Sequence, residues 1–463
     1  MDMRIGPAPL GGRVDMISSK SQAHRIMIAA ALSQETVQVQ MEGLSQDVEA
    51  TIGCLNALGA DISKMRDDLW QVRPILKNRG RKDFQKEEKP CLLDCKESGS
   101  TLRFLLPVAA ALGEKTTFTG KGRLPQRPVG QLLSQLRKHG CKTDREEGLP
   151  LTLEGRLQGG DFTLPGNVSS QFVTGLLFAL PLLEEDSRIL LSSPLESAEY
   201  IRMTLSVLGR FGIRVTWEEE GFLIRGRQRY RLMDGFGEDS RIQVEGDWSA
   251  AAFWLCAAAS GACNEKGGIS CRGLDPASSQ GDRKVTEILK DFGARVQVGK
   301  DSLVTARGPE KGGLKGIQID AAQIPDLVPV LAVVGACARG RTDIINGGRL
   351  RIKESDRLSA MARELGRLGV QIKEKPEGLV IQGLDLGGEP CPKKEEIKRK
   401  EAGRQEPPVR ISGWNDHRIV MAMAIAAVVL KKEIVIEGAE AVKKSYPDFF
   451  TRFRELGGEA DVL

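Results

Sequence analysis

Six similar stretches recur along this chain, and this repetition constrains the fold more than any other feature of the sequence. Successive stretches start 79, 70, 77, 79 and 90 residues apart. Near-constant spacing of this kind indicates a chain built from repeated structural units. Each stretch is an apolar helical run that opens on a small or acidic polar residue, at Ser21, Ser100, Ser170, Asp247, Asp326 and Asp416.

A second signature follows each run, an amphipathic helix that ends in glycine and leads into β-branched residues. Glycine readily adopts the left-handed conformation that closes many helices, and the residues after it favour a strand. Leucine-rich helices ending in glycine are common, but six pairs in one order argue against chance. The sequence therefore predicts six copies of a unit of about 75 residues. The six glycines are Gly59, Gly140, Gly212, Gly293, Gly369 and Gly457.

The two helices of each unit differ in character. The first is apolar nearly all round and is predicted to be buried, whereas the second is amphipathic and is predicted to cover the outside. Six units divide most simply into two α/β domains of three units each, namely residues 18–241 and residues 1–17 with 242–463. The boundary is expected near the charged stretch 235–241, and a first strand within residues 5–14 is expected to join the C-terminal half.

Two segments rich in Lys, Arg and Glu, 77–89 and 393–408, interrupt the repeat. They are interpreted as solvated surface loops, because runs of charge rarely enter a core.

Composition excludes several classes of protein. Of 463 residues, 41% are hydrophobic and 28% are charged, as in globular proteins rather than disordered chains or coiled coils. The longest apolar runs, 327–338 and 419–430, are 12 residues each. A membrane span needs about 18, so none is expected. The net charge of +5 is too small to indicate nucleic-acid binding.

Cysteine and histidine usage bears on location and on metals. Nine cysteines, an odd number with no CxxC pair, are typical of free thiols in a reducing cytoplasm. The N-terminal residues lack the apolar run of a signal peptide, which also favours a cytoplasmic protein. With only three histidines in the chain, a zinc site is not expected.

Cations cluster where several buried helices are predicted to begin. Lys20 and Arg25 flank the first start, Arg103 lies in the first turn of the second, and Arg418 in that of the sixth. A helix N-terminus already carries partial positive charge, so cations there are unfavourable without an anion. The pattern predicts that the helix starts of two facing domains bind a small ligand with several negative charges.

Simpler interpretations remain for the same positions. Ser100, Asp247 and Asp416 could each be only a helix cap. The charged cluster 349–357 could be a solvated turn, with Ser355 or Asp356 capping the next helix. The loop 122–128, with two arginines and two prolines, could be a rigid surface connection.

The ordered set of motifs resembles the enolpyruvyl transferases, and most closely the branch that acts on shikimate 3-phosphate. The resemblance runs along essentially the whole chain. No single motif decides it, but the set is specific. The motifs are Lys20-Ser21-x-x-x-Arg25, Gly99-Ser100-x-x-Arg103, Arg127-Pro128, Ser169-Ser170-Gln171, Ser197 with Tyr200, Glu245-Gly246-Asp247, Pro325-Asp326, Lys353-Glu354-Ser355-Asp356-Arg357, Asp416-His417-Arg418 and Lys444-Ser-Tyr-Pro-Asp448.

The resemblance implies two domains, each an inside-out α/β barrel of three βαβαββ units, with the active site in the cleft between them. It implies transfer of the enolpyruvyl group of phosphoenolpyruvate to the 5-hydroxyl of shikimate 3-phosphate, a step of the shikimate pathway of aromatic amino acid biosynthesis. The expected partners are these two small molecules, with no metal, organic cofactor, nucleic acid or membrane. A monomer is expected.

The resemblance also assigns roles to individual residues. Asp326 would take the proton of the 5-hydroxyl, and Glu354, with Lys20 as a competing candidate, would protonate the methylene carbon of phosphoenolpyruvate. The residues holding shikimate 3-phosphate would be Lys20, Ser21, Arg25, Ser169, Ser170, Gln171, Ser197, Asp326 and Lys353. Those holding phosphoenolpyruvate would be Lys20, Gly99, Arg127, Gln171, Arg357, Arg418 and Lys444.

Two departures from the family pattern concern the phosphoenolpyruvate pocket. The family's frequent Asn-Ala-Gly-Thr stretch reads Glu-Ser-Gly-Ser at 97–100. This change leaves open the shape of the pocket and the sensitivity to glyphosate, an inhibitor of the family. The family asparagine shortly before the Lys-Glu pair has no clear equivalent, and Asn346 and Arg349 are the candidates.

Two alternative functions are less favoured. The sister branch that acts on UDP-N-acetylglucosamine usually carries a reactive cysteine in the loop at 122–127, where this chain has none. A non-catalytic repeat protein that binds RNA or another polyanion would be expected to show a localised basic stripe, which is missing here.

Overall fold

The computed structural model describes residues 1–75, 90–233, 240–263, 268–299, 301–384 and 407–463. The predicted surface loop 77–89 lies outside these ranges, as does the loop 393–408 apart from its last two residues. The expected boundary stretch 235–241 falls largely outside them as well. Within the ranges, no helix has both the length and the apolar character needed to cross a membrane.

The described strands are short and are numbered here in chain order. They are β1 (Met3–Ile5), β2 (Gly12–Asp15), β3 (Val37–Gln40), β4 (Asp61–Arg66), β5 (Leu69–Arg73), β6 (Cys91–Asp94), β7 (Thr116–Thr119), β8 (Cys141–Thr143), β9 (Leu151–Gly155), β10 (Gly160–Leu164), β11 (Ser187–Leu191), β12 (Val215–Glu218), β13 (Gly221–Ile224), β14 (Arg241–Gln243), β15 (Ile269–Arg272), β16 (Arg295–Val298), β17 (Leu303–Arg307), β18 (Gln318–Asp320), β19 (Arg341–Ile345), β20 (Gln371–Lys375), β21 (Gly378–Gln382), β22 (Val409–Ser412), β23 (Ile434–Glu437) and β24 (Ala460–Val462).

Among the described residues these strands form six four-stranded sheets of one topology. The sheets are β14-β3-β5-β4, β6-β7-β9-β8, β10-β11-β13-β12, β2-β15-β17-β16, β18-β19-β21-β20 and β22-β23-β1-β24. In each, the first two neighbours run parallel and the other neighbours pair antiparallel. A parallel pair requires a crossover connection, which is the role of a helix in such units.

Packing divides the chain into two compact units, residues 18–244 and residues 1–17 together with 245–463. Three of the six sheets belong to each unit, and each unit has its own hydrophobic core. The predicted α/β fold of six repeated units is therefore confirmed.

The described α-helices alternate between two types. They are α1 (Lys20–Ala31), α2 (Gln46–Ala57), α3 (Gly99–Leu112), α4 (Gly130–Lys138), α5 (Ser170–Ala179), α6 (Ala198–Arg210), α7 (Trp248–Ala259), α8 (Val285–Asp291), α9 (Val328–Cys337), α10 (Arg357–Arg367), α11 (His417–Val429) and α12 (Phe449–Glu455).

The odd-numbered helices are the predicted apolar runs, and they form the cores. All ten residues of α9 and all thirteen of α11 are buried. The even-numbered helices are only partly buried, as their amphipathic pattern predicts. The glycine predicted after each of them has a φ between +74° and +104°. That conformation suits glycine, so the predicted helix ends are confirmed.

The single strand predicted within residues 5–14 is wrong. Two short strands lie at the ends of that stretch instead, Met3–Ile5 and Gly12–Asp15, and both belong to the unit that contains residues 245–463. The first, β1, pairs with β23 and β24, whereas β2 pairs with β15 in another sheet. Pro7 and Pro9 lie between them. Proline lacks the N–H that a strand interior must donate, so the chain leaves one sheet before it joins the next.

Candidate active site

Two buried helices of residues 18–244, α1 and α3, begin one residue earlier than predicted, whereas α5 begins at Ser170 as predicted. Ser98 caps α3 by accepting a hydrogen bond from Thr101 N at 3.2 Å. The capping interpretation of Ser100 is therefore wrong, because Ser100 already lies inside the first turn. Its hydroxyl instead accepts from Gln171 Nε2 at 2.9 Å, which joins the starts of α3 and α5.

Lys20, the first residue of α1, is held by a carboxylate from the neighbouring helix. Its Nζ lies 2.9 Å from Asp47 Oδ2, and both side chains are largely buried. Asp47 is the second residue of α2, where a negative charge also complements the helix N-terminus. The pair fixes a long, flexible amine at the helix starts.

Arg25 is buried in the second turn of α1. Its Nε donates to Thr204 Oγ1 at 2.8 Å, Nη1 to the Ser21 carbonyl at 2.6 Å and Nη2 to the Tyr200 carbonyl at 3.0 Å. Burial lowers the pKa of Arg25 to about 10, so the group remains charged at neutral pH. Arg25 thus ties α1 to α6 with two of its five N–H donors, whereas a third bonds within α1.

Gly99 lies in a cradle formed by two arginines. A Cβ at this position would lie 2.6 Å from Arg127 Nη1 and 2.7 Å from Arg103 Nη1. Arg103 Nη1 also donates to Gln171 Oε1 at 2.9 Å, and Nη2 to the Pro128 carbonyl at 3.0 Å. Two guanidinium groups can therefore approach the start of α3 only because residue 99 has no side chain.

The remaining predicted residues of this unit also lie at helix starts. Ser169 caps α5 by accepting from Gln171 N at 3.3 Å, and Ser170 is buried in the first turn. Ser197 is buried immediately before α6 with a left-handed backbone, at φ +55°. Ser21 is the second residue of α1. The direct contacts link the starts of α1 and α2, and those of α3 and α5.

A buried chain of hydrogen bonds runs beneath these starts. His24 Nδ1 lies 2.7 Å from Thr51 Oγ1, which lies 2.7 Å from Thr101 Oγ1. Thr101 Oγ1 in turn contacts the Asp47 carbonyl at 3.3 Å. Burial lowers the pKa of His24 well below its ordinary value, with Lys20 adding to the effect. A neutral imidazole therefore underlies the cationic helix start.

In the unit of residues 1–17 and 245–463, Arg357 gathers three carboxylates. Its Nη1 donates to Asp326 Oδ1 at 2.7 Å, Nη2 to Glu354 Oε2 at 2.8 Å and Nε to Asp416 Oδ2 at 2.9 Å. Burial opposes its charge, but Asp416, Glu354 and Asp326 raise the pKa of Arg357 well above its ordinary value. Arg357 is thus a permanently charged fork that orients two of the predicted catalytic carboxyl groups.

Asp326 lies two residues before α9 and faces three cations. Besides Arg357, Arg418 Nη2 lies 3.3 Å from its Oδ2 and Lys353 Nζ 3.8 Å from its Oδ1. Desolvation lowers the pKa of Lys353 to about 8, although the charge of Asp326 opposes the shift. Residues from three of the predicted motifs thus meet at the Asp326 carboxylate.

The capping interpretations in this unit hold in part. Asp247, Asp356 and Asp416 accept from Ala250 N at 2.8 Å, Ser359 N at 3.1 Å and Arg418 N at 2.9 Å. Each therefore caps a helix, as the simpler interpretation predicted. Asp416 does more, because it also binds the side chains of Arg357 and Ser355.

Lys444 is held by a backbone carbonyl just before α11. Its Nζ donates to the Asn415 carbonyl at 2.7 Å. Asn415 and Trp414 both have left-handed backbones, at φ +49° and +52°, which is strained for residues other than glycine. Trp414 Nε1 donates to the buried Glu364 Oε1 at 2.9 Å, and this bond anchors the strained turn.

A family model described as EPSP synthase (3-phosphoshikimate 1-carboxyvinyltransferase) matches residues 5–453. The chain belongs to the EPSP synthase family. A 3-phosphoshikimate 1-carboxyvinyltransferase of Clostridium kluyveri is 42% identical over 459 residues, covering 99% of this chain and 97% of the relative. One of Clostridium novyi is 39% identical over 465 residues, with 99% and 98% covered.

Solved structures support the fold. An EPSP synthase from Acinetobacter baumannii superposes with a TM-score of 0.76 at 23% identity and covers 100% of both chains. The enolpyruvyl transferase NikO from Streptomyces tendae has a TM-score of 0.72 at 18% identity, with 99% of this chain and 98% of that chain covered. At these identities the likeness concerns the fold alone.

The structure locates the residues at which this chain departs from the EPSP synthase family pattern. Glu97 packs against Gly122, so the unusual carboxylate lies beside the loop that carries Arg127. Of the two candidates for the missing asparagine, Asn346 donates to Asp320 Oδ2 at 3.0 Å, whereas the charge of Arg349 acts on Lys353.

Sequence reasoning missed three residues that build these clusters. Asp47, Gln280 and Asp282 each hold a helix start or face a predicted site residue. Asp47 lies two residues after the cap Ser45, in the first turn of a helix, where acidic residues are common in any protein. No local pattern separates such an acid from a solvated one. The expected site between the two domains remains a prediction.

Proposed function

We propose that this chain transfers the enolpyruvyl group of phosphoenolpyruvate to the 5-hydroxyl of shikimate 3-phosphate and releases inorganic phosphate. Membership of the EPSP synthase family supports the proposal, as do full-length relatives named for this activity. The observation that carries the chemistry is Arg357, which holds Asp326 and Glu354 on two nitrogens of one rigid group. Two carboxyl groups fixed in this way are suited to moving two protons.

In the first step Asp326 takes the proton of the 5-hydroxyl, whose oxygen bonds to C2 of phosphoenolpyruvate. Glu354 delivers a proton to the methylene carbon C3, with Lys20 as the competing donor. The double bond becomes a single bond and a tetrahedral intermediate results. Arg357 and Arg418 stabilise the anionic groups on that intermediate.

In the second step the bond from C2 to the phosphate oxygen breaks, and phosphate leaves with the bonding electrons. The departing phosphate takes up the proton held by Asp326, which restores the base. A proton returns from C3 to the enzyme, which restores the double bond of the product. Positive charge near the leaving group favours this step, because it stabilises the departing phosphate. The second step therefore reverses the proton transfer at C3.

The two substrates are dianionic or more, and the proposed ligands are mainly cations and helix-start donors. Shikimate 3-phosphate is assigned to Lys20, Ser21, Arg25, Ser169, Ser170, Gln171, Ser197, Asp326 and Lys353. Phosphoenolpyruvate is assigned to Lys20, Gly99, Arg127, Gln171, Arg357, Arg418 and Lys444. Arginine suits this role because its planar fork matches carboxylate and phosphate oxygens.

We further propose that the protein is a cytoplasmic monomer and that it binds no nucleic acid. The described cysteines Cys54, Cys95, Cys141, Cys256, Cys271 and Cys337 are buried free thiols, which is in keeping with a reducing compartment. Sedimentation at micromolar concentration tests the monomer, and a dimer mass would overturn that part.

Phosphate release tests the activity. The protein is mixed with phosphoenolpyruvate and shikimate 3-phosphate, together and singly, and inorganic phosphate is measured. Release is expected only with both compounds. Asp326→Asn should lower kcat by about 10²- to 10⁴-fold, since a general base is removed. Asp461→Asn, at an exposed strand position, is the matched control.

No release with both substrates would contradict the proposal. If salt-sensitive RNA binding accompanied that result, the polyanion-binding alternative would be favoured. Release with UDP-N-acetylglucosamine in place of shikimate 3-phosphate would favour the sister branch.

A further inference from the structure

Two of the proposed site residues, Lys353 and Glu354, lie on a stretch of chain that is neither helix nor strand. The stretch runs from the end of the 3₁₀ turn Gly348–Ile352 to Asp356, which caps α10. Such a stretch lacks the repeating backbone hydrogen bonds that make a helix or a sheet rigid. Because catalytic and binding groups work only when they are held in a defined geometry, other contacts have to fix this one.

Arg351, at the near end of the stretch, binds the neighbouring hairpin of β20 and β21. Its Nε donates to the Pro376 carbonyl at 2.9 Å, and its Nη2 to the Lys375 carbonyl at 2.7 Å. Its Nη1 donates to Glu374 Oε1 at 2.6 Å. The three acceptors are consecutive residues at the end of β20 and in the turn that follows. One side chain therefore fixes the 3₁₀ turn to the hairpin.

The same guanidinium also binds the far end of the stretch. Arg351 Nη1 donates to Asp356 Oδ2 at 2.8 Å, while Asp356 Oδ1 accepts from Ser359 N at 3.1 Å. The Ser359 hydroxyl in turn donates to Glu374 Oε1 at 2.8 Å. Four of the five N–H donors of Arg351 are engaged in these bonds. The two ends of the stretch are thus joined to each other and to one hairpin.

The charge of Arg351 is balanced within this cluster. Its side chain is 28% exposed, and it pairs with Asp356 and Glu374, neither of which is among the proposed site residues. Arg351 therefore acts on the structure of the stretch rather than on a substrate. The role needs the planar fork of arginine, because the single nitrogen of a lysine cannot face two carbonyls and two carboxylates at once.

The two fixed ends position the side chains that lie between them. Lys353 Nζ lies 3.8 Å from Asp326 Oδ1, and Glu354 Oε2 accepts from Arg357 Nη2 at 2.8 Å. Glu354 is held at its carboxylate, whereas Lys353 reaches Asp326 at the end of a long flexible side chain and depends more on its backbone. A displacement of about 1 Å at a binding or reacting group can lower a rate by about 10²-fold.

We propose that Arg351 is a positioning residue for the proposed reaction: it joins the hairpin of β20 and β21 to Asp356 and thereby fixes the direction of Lys353 and Glu354. The inference rests on the proposed function, in which these two side chains bind shikimate 3-phosphate and protonate phosphoenolpyruvate. Arg351 touches no substrate in this scheme. It acts through the backbone of the stretch that it closes.

Arg351→Ala should raise the KM for shikimate 3-phosphate about fivefold or more and lower kcat about ten- to hundredfold, since Lys353 and Glu354 are no longer fixed. The KM for phosphoenolpyruvate should stay within about twofold, because Arg357 keeps its own buried pair with Asp416. Arg351→Lys should change both quantities in the same direction, because it keeps the charge but not the fork. A mere loss of folded protein would lower kcat and leave both KM values unchanged.

Chemical rescue separates positioning from general damage. Arg351→Ala leaves a space that is partly open to solvent, so free guanidinium can enter it. Guanidinium added well below the concentrations that unfold proteins should therefore restore part of the lost kcat, and it should leave the wild type unchanged. Urea, which has a similar planar shape but no charge, should not restore it.

The experiment measures phosphate release by the full chain and its variants, with each substrate varied in turn. Arg452→Ala is the matched control, because Arg452 also pairs with two carboxylates, Asp448 and Glu455, and its side chain is 37% exposed. This variant should keep the wild-type KM values and kcat.

An unchanged KM for shikimate 3-phosphate in Arg351→Ala, or a loss of kcat that guanidinium does not restore, would overturn the inference. If Arg351→Ala does not fold, the KM of Arg351→Lys for the same substrate decides. Absence of turnover in the wild type would instead overturn the proposed function.

Discussion

Arg357 and Asp416 form a buried ion pair that is made through two nitrogens. Nε and Nη2 of Arg357 lie 2.9 Å and 3.3 Å from Oδ2 and Oδ1 of Asp416, and both side chains are almost wholly withdrawn from solvent. The same carboxylate caps α11. Asp416 therefore orients the Arg357 guanidinium, which in turn holds Asp326 and Glu354. It also fixes the start of the core helix α11.

Asp416→Ala should lower the free energy of unfolding by about 3–5 kcal/mol, because it leaves the Arg357 charge buried with one partner fewer. Urea unfolding measures the change. Glu437→Ala is the control, since Glu437 pairs with Arg410 at 2.7 Å on the surface of the same unit. An exposed pair contributes about 1 kcal/mol or less. Equal effects of the two substitutions would show that burial of the Arg357 pair is unimportant.

Gly99→Ala should raise the KM for phosphoenolpyruvate roughly tenfold or more, with a smaller change in kcat. The added Cβ would displace Arg127 or Arg103, and a lost charge-assisted hydrogen bond costs about 1.5–3 kcal/mol. Steady-state kinetics with both substrates varied measure it. Gly53→Ala in α2 is the control, because a Cβ there meets nothing within 4 Å. Identical KM values for the two variants would remove Gly99 from the site.

Trp414→Phe should have two effects. It should destabilise the strained turn before α11, and it should weaken the binding of phosphoenolpyruvate. The change leaves the buried Glu364 without its indole donor, which costs about 1–3 kcal/mol. The turn also supplies the carbonyl that receives Lys444. Thermal unfolding and the KM for phosphoenolpyruvate measure the two effects. Trp217→Phe, at a partly exposed strand position, is the control, and a KM unchanged by Trp414→Phe would exclude a role of this turn in binding.

The repeated units could be predicted from the sequence because each signature has a local physical cause. An all-round apolar helix must be buried wherever it lies, and Gly369 or Gly457 closes a helix by its own conformational freedom. The convergence of Lys353, Arg357 and Arg418 on Asp326 required the family resemblance, since the residues come from segments far apart in the chain.

The errors at helix starts have a physical origin as well. Ser98 and Ser100 both have the side chain of a cap, and only the backbone conformation decides which of them can accept the free N–H. Asp282 could not have been singled out, because only the fold shows that it is buried and that one of its carboxylate oxygens lacks a hydrogen-bond partner among the described residues. Neither property can be recognised from the neighbouring sequence.

Lys353 should give the activity an alkaline limit near pH 8. Desolvation lowers its pKa to about 8, so in the free protein the ammonium group loses its charge as the pH rises through that value. In the proposed function, the charged form of Lys353 is the one that binds the anionic shikimate 3-phosphate. The ratio kcat/KM for that substrate should therefore be flat below pH 8 and fall above it.

Lys353→Arg separates this cause from other alkaline effects. Guanidinium stays protonated far above pH 8, so the alkaline limb of kcat/KM should move up by about one pH unit or more, even if the maximum is lower. Lys353→Gln removes the charge at every pH, so kcat/KM should be low throughout and the limb should disappear. Lys290→Gln, on α8, controls for the loss of a positive charge. A limb that stays near pH 8 in Lys353→Arg would assign the titration to another group, because arginine has no proton to lose in that range.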